Sequence, residues 1–314
     1  MSVYDERDPR STLPTADRAA SSSGAAIAEA EIFDFSVLVP DEVTSLGSST
    51  WIVRAQNVVL AYTRARAGDT FDRVDHADEY VVVLPHDPSS VRVATGDAAQ
   101  IVDGKAVLIV PPGDSNVTAK ADTDIVRLFT PSPELAARAR NAASYARPHP
   151  RVRLLEEWPE PVGGYRLRVY RGLAELRRDP SRFGRILRNR AFMVNFLYHY
   201  DGPRDTTALS PHDHADFEQI SLAVDGEFIH HLRTPMGKNK ADWRDDQHVR
   251  VGSPSVIVIP PPVLHTSEAC GPGRNQLLDI FSPPRADFSE KGWVLNADEY
   301  PAATEVQPLP LPAG

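Results

Sequence analysis

The sequence is poor in cysteine. Cys270 stands alone among 314 residues, which excludes an internal disulfide, and it lies in Glu-Ala-Cys-Gly-Pro-Gly without an evident base to activate it as a nucleophile. The N-terminus also lacks the basic and apolar regions of a secretory leader, so a reducing cytoplasm is the expected compartment. No apolar run approaches the roughly 20 residues a bilayer span needs, which argues against membrane insertion. Positive charge is not in excess. With a net charge of −9 and no helix-turn-helix pattern, the chain is not expected to bind nucleic acid. Long helical periodicities are few as well, and 28 prolines against 18 glycines indicate many short strands and turns.

What is present is enough chain for two cores. Between the ends it repeats itself. Ala106-Val-Leu-Ile-Val-Pro-Pro-Gly113 followed by Ile125-Val-Arg-Leu-Phe-Thr-Pro131 has the same order as Ser255-Val-Ile-Val-Ile-Pro-Pro-Pro262 followed by Leu277-Leu-Asp-Ile-Phe-Ser-Pro283. Each unit reads as a buried strand, a proline turn, a loop and a strand ending in Phe-(Ser/Thr)-Pro, which implies duplication. Upstream, His76-Ala-Asp before Tyr80-Val-Val-Val-Leu matches His214-Ala-Asp before Gln219-Ile-Ser-Leu-Ala-Val. The organisation expected is a flexible arm (1–31), a first domain (32–135), a linker (136–150), a second domain (151–303) and a proline-rich tail (304–314). The twelve arginines between Arg147 and Arg190 read as a solvated, charged face.

Chemistry concentrates in Pro211-His212-Asp-His214-Ala-Asp-Phe-Glu218 and the later Pro260-Pro-Pro-Val-Leu-His265. In a strand, residues two apart face the same side, so His212 and His214 form a chelating pair. Glu218 lies about 13 Å further along a straight strand, too far to share one ion, so the chain is expected to turn at Ala215-Asp216 and bring Glu218 back beside the histidines. Ile220, Leu222 and Val224 would then share its inward face. Asp225-Gly226 is a hairpin signal.

This pattern resembles the cupin superfamily. The family's first motif, His-x-His, a spaced Glu and then Gly, is matched by His212, His214, Glu218 and Gly226, and its second, Pro-x-Gly-x-x-His, by Pro260, Pro262 and His265, with Pro262 in place of glycine. The resemblance covers residues 33 to 300 and implies an all-β bicupin: two jelly-roll (double-stranded β-helix) barrels in tandem with short linking helices. It also implies one divalent transition metal on His212, His214, Glu218 and His265. Fe(II) is favoured, with Zn(II), Mn(II), Ni(II) and Co(II) open. The first domain reads as a degenerate copy, because Asn116 stands at the ligand position and His76 alone survives of the first motif.

A two-residue turn at Asp225-Gly226 places His231 and Arg233 on the inward face, the first as a general acid or base and the second as a carboxylate clamp. Tyr198, His199 and Tyr200 lie on a strand of unreadable register, and Gln276 and Asp279 are further candidates to contact a ligand or an imidazole. The leading expectation is a metal-dependent oxidoreductase, dioxygenase-like, acting on a small polar organic molecule. Isomerase, decarboxylase or hydrolase chemistry, a non-catalytic sensing bicupin and a purely structural metal barrel are the alternatives. Exposed strand edges suggest a homodimer.

Overall fold

The computed structural model describes Arg10 and residues 25–302, apart from 97 and 174. The proline-rich tail and most of the expected N-terminal arm lie outside the described residues. All pairings between the named strands are antiparallel, and they build two barrels, each closed by a large sheet facing a small one. In the first barrel the large sheet runs Arg168–Arg171, Ala106–Val110, Tyr80–Leu84, Thr123–Phe129, Val59–Ala65, Ser49–Arg54, Glu42–Val43. Its small sheet runs Thr70–His76, Gly113–Ala119, Ser90–Thr95, Ala98–Asp103. The second barrel sets Glu31–Asp34, Ser255–Ile259, Glu218–Asp225, Arg274–Ser282, Met193–Phe196 and Ile186–Arg188 against Gln247–Val251, Phe228–Arg233 and Leu264–Ala269. The expected all-β, two-barrel architecture is present. A short helix, Pro133–Arg138, capped by Ser132 through Leu135 N, begins the connection between the barrels.

The duplicated apolar runs are continuous because their strands are buried on both faces. One face fills the barrel's own interior: Tyr80, Val82, Leu108, Ile125 and Phe129 belong to the first barrel's inner core. The other face meets the second barrel. Val81, Val83, Ile109 and Leu128 pack with Ile220, Leu222, Val224, Val258 and Ile280 in a single cluster between the two large sheets. At roughly 25 cal/mol per Å² of apolar surface, burial of this shared core is the main force holding the barrels together.

Two strands cross the expected domain limits. Glu31–Asp34 pairs with Ser255–Ile259 of the second barrel, while Arg168–Arg171 pairs with Ala106–Val110 of the first. Each barrel's outer edge is thereby covered by a strand from the segment leading into the other. The arginine-rich segment is likewise not a simple solvated face. Arg168, Arg185 and Arg188 are buried, and their guanidiniums donate to backbone carbonyls such as Val162 O (2.8 Å), Leu197 O (2.7 Å) and Pro301 O (2.6 Å).

Candidate metal centre

His212 precedes the strand Glu218–Asp225, and His265 lies near the start of Leu264–Ala269. An isolated antiparallel bridge joins the two residues, His212 N donating to His265 O at 2.9 Å and His265 N to His212 O at 2.8 Å. The turn before His265 closes through Val263 N and Pro260 O (3.1 Å), so Pro262 leaves the histidine in register. Ring centroids are separated by 4.3 Å (His212–His265), 5.1 Å (His214–His265) and 5.2 Å (His212–His214). One nitrogen of each ring lies within 4.8 Å of the others.

The rings are oriented from behind. His212 Nδ1 donates to Ser210 O and His265 Nδ1 to Val263 O, both at 2.9 Å, which leaves each Nε2 as a lone-pair donor toward the common point. His265 Nε2 is buried and has no hydrogen-bond partner, the state expected of a nitrogen that awaits an ion. Burial drives all three imidazoles below their ordinary pKa, His265 to about 4, so they are neutral at pH 7. The guanidinium of Arg10 stacks 4.3 Å over Phe183 and sets Nη1 3.2 Å from His212 Nε2, so an ion bound to that nitrogen must displace it.

Glu218 is not in this cluster. It belongs to the face of its strand that meets the first barrel, and its buried carboxylate accepts from Gln56 N (2.6 Å) and Tyr145 Oη (2.9 Å), with His149 Nδ1 at 3.2 Å. The expectation that it turns toward the histidines is corrected on this geometry. The apolar residues sharing its parity, Ile220, Leu222 and Val224, line the inter-barrel core, and the barrel interior belongs to Gln219 and Ser221. Gln219 Oε1 accepts from His214 Nε2 (2.8 Å), its Nε2 donates to Ser221 Oγ (2.9 Å), and Ser221 Oγ donates to Asp279 Oδ1 (2.5 Å). Burial raises Asp279 to about 6. Asp279 had a sequence signal as a contact candidate; Gln219 had only its place beside Glu218. Gln276 is structural, donating to Leu197 O (2.6 Å).

His231 and Arg233 also lie away from the triad. The strands Glu218–Asp225 and Phe228–Arg233 belong to different sheets, so Asp225-Gly226 arches between sheets instead of folding a hairpin back on itself. Gly226 has φ +81°, and a Cβ there would meet Asn275 Oδ1 at 2.2 Å, which is why the arch requires glycine. The crossing reverses the assumed parity. His230 is buried against Ser267, whereas His231 turns to His248 and Glu268, and Arg233 is exposed beside Asp246.

His149 stacks on Tyr145 (4.8 Å between centroids), and its neighbour Glu218 raises its pKa. The charged imidazole therefore stabilises the fold fully below its unfolded pKa of about 6.5, and that contribution is lost as pH rises through the raised folded value. Thermal unfolding from pH 6 to 9 should show the wild type losing its advantage over His149→Gln as pH increases; parallel curves would remove His149 from this account.

The cavity lined by His212 and His265 has a volume of about 580 Å³. Among the described residues lining it, four arginines (Arg10, Arg178, Arg182, Arg204) stand against two aspartates (Asp179, Asp279), with Tyr198 and Tyr200 on its wall.

No protein-family model matches the sequence, and no curated protein matches it. Solved structures do. A cupin 2 conserved barrel domain protein from Leptotrichia buccalis is 9% identical, with a TM-score of 0.47 over 83% of this chain and 99% of its own. The formate complex of Lactobacillus farciminis oxalate decarboxylase is 12% identical, with a TM-score of 0.48 over 84% and 89%. A mutant of Bacillus subtilis oxalate decarboxylase is 13% identical, with a TM-score of 0.49 over 84% and 80%. The structures similar to this chain are thus cupin barrels, including two-barrel oxalate decarboxylases. Among the described residues, no helix is long and apolar enough to cross a membrane.

Proposed function

We propose that the second barrel is the centre of a metal-dependent enzyme of cupin type that acts on a small organic anion. The observation carrying this reading is the orphaned, buried His265 Nε2 beside two further neutral imidazoles. His212, His214 and His265 would hold the ion, and Gln219 Oε1, accepting from His214 Nε2, would fix that ring with Nδ1 free to ligate. A divalent ion there supplies Lewis acidity and, if it is Fe(II), redox chemistry with dioxygen. Because none of these donors carries negative charge, the ion's charge remains to be balanced. An anionic substrate does so, and Arg178, Arg182 and Arg204 on the cavity wall favour the same sign. Asp279, with a pKa near 6, is placed at the cavity to move a proton.

Dioxygenase-type oxidation is the finer reading, with Fe(II) as its metal. It is tested by elemental analysis of untagged protein followed by oxygen uptake with small keto-acid and phenolic-acid substrates. Uptake that requires Fe(II) supports it; bound Fe(II) with no uptake, alongside non-oxidative turnover, moves the reading to an isomerase, decarboxylase or hydrolase. Recovery of an unchanged ligand would identify a binding protein. Arg182, whose guanidinium stands 3.7 Å from Asp179 on the cavity wall, is expected to steer the anion. Arg182→Gln should raise KM about tenfold with kcat little changed, and an unaltered KM would exclude it from recognition.

A further inference from the structure

The interior of the first barrel carries an arrangement that the metal reading of the second does not use. Arg127 lies on the inner face of Thr123–Phe129, between Ile125 and Phe129, and is 7% exposed. Its guanidinium stacks on Phe71 at 4.6 Å. Arg73, two residues beyond Phe71 on the facing sheet, stacks on Phe129 at 4.6 Å, two residues beyond Arg127. The two arginines are therefore interlocked across the barrel, each seated on the other strand's phenylalanine.

Neither guanidinium has a carboxylate within 4 Å among the described residues. The acids whose charge reaches them, Glu42 and Glu134, are already held by Arg138. Among the described residues, Arg127 donates to Thr63 Oγ1 alone (3.2 Å). Three buried nitrogens in this interior, Arg73 Nε, Arg127 Nε and His76 Nε2, have no hydrogen-bond partner, and the Tyr80 hydroxyl stands among them, bonded to Ser115 Oγ at 2.9 Å. Burying like charges without a counter-charge is costly, and burial together with Arg73 depresses Arg127 to about 10. A negatively charged hydrogen-bond acceptor seated between the two guanidiniums would satisfy these donors and offset their charge.

The strand registers show where this cluster lies. Tyr80 pairs with Val110 as Gln219 pairs with Ile259, and Val82 pairs with Arg127 as Ser221 pairs with Asp279. Tyr80 thus takes the place of Gln219, and Arg127 that of the acid. A bulge between Gly113 and Ser115 turns Ser115 inward, while Asn116 bonds Asp72 outside. The first barrel has kept the position and reversed its charge.

We infer that the interior of the first barrel binds a small oxyanion, a carboxylate or an inorganic anion of the phosphate type, between Arg73 and Arg127. The site is independent of the metal reading. It is tested on the full chain by thermal unfolding and titration calorimetry with sodium formate, oxalate, phosphate and sulfate, against chloride at equal ionic strength. At a concentration ~100 times Kd, the preferred anion should raise Tm by about 5 °C. Arg127→Gln, and separately the more exposed Arg73→Gln, should weaken its binding at least tenfold, whereas Arg204→Gln, in the other barrel's cavity, should leave it unchanged. Preference for the carboxylates or for the inorganic anions identifies the occupant. A rise no greater than with chloride, or a response that survives Arg73→Gln and vanishes in Arg204→Gln, overturns the inference.

Discussion

Replacing His265 with alanine is expected to lower bound divalent metal from about one ion per chain to less than a tenth of that after dialysis. Three neutral nitrogens hold the proposed ion, and no carboxylate among them can compensate for a lost ligand. Even changes to groups that merely orient a ligand cost 10–100-fold in affinity, on the order of 1.4–2.7 kcal/mol, so loss of the ligand itself should exceed that range. The fold should survive, since the bridge between His212 and His265 is made by backbone atoms. Elemental analysis paired with circular dichroism separates the two effects. A folded variant with full metal content would show that the ion, if present, is held elsewhere, and the proposed centre would fail.

How much of this was readable beforehand differs from residue to residue. His212, His214 and His265 were legible because their relation is local: two residues two apart, and a histidine at a fixed distance after a proline turn. The repeat was legible because each unit's runs are buried on both faces. Glu218 was not, since the apolar alternation of Ile220, Leu222 and Val224 marks a buried face without distinguishing the barrel interior from the seam between barrels. In a molecule whose barrels share a core, the more apolar face is the one between them, and the more polar face encloses the site. His231 and Arg233 were assigned through a hairpin, but a glycine with positive φ serves an arch between sheets as well as a two-residue turn. The exchange of Glu31–Asp34 and Arg168–Arg171 between barrels is set by partners more than 50 residues away, and no local pattern encodes it.

The position of Glu218 leads to the second large effect. The connection after the first barrel supplies Tyr145 to Glu218 of the second, and the segment after the second supplies Tyr300 to Glu79 of the first, Tyr300 Oη donating to Glu79 Oε1 at 2.7 Å. Glu79 and Glu218 precede equivalent strand positions, Tyr80 and Gln219. The two carboxylates therefore clasp the barrels reciprocally, each acting outside its own interior. Glu218→Ala leaves Gln56 N without its acceptor, removes the partner of the Tyr145 hydroxyl and deprives His149 of its counter-charge. Breaking a buried charged group away from its partners costs roughly 3–5 kcal/mol, and part of that is returned here by water reaching the partly exposed ring of His149, so a loss of about 3 kcal/mol is expected. For a chain of this size the loss should lower Tm by roughly 5 °C or more. Metal content should remain within a factor of two of the wild type, because no donor of the triad is touched. The combination is diagnostic. A variant of unchanged stability that has lost its metal would return Glu218 to the ligand set and place the barrel interior on the other face of its strand, whereas lowered stability with retained metal assigns the glutamate to the joint between the barrels.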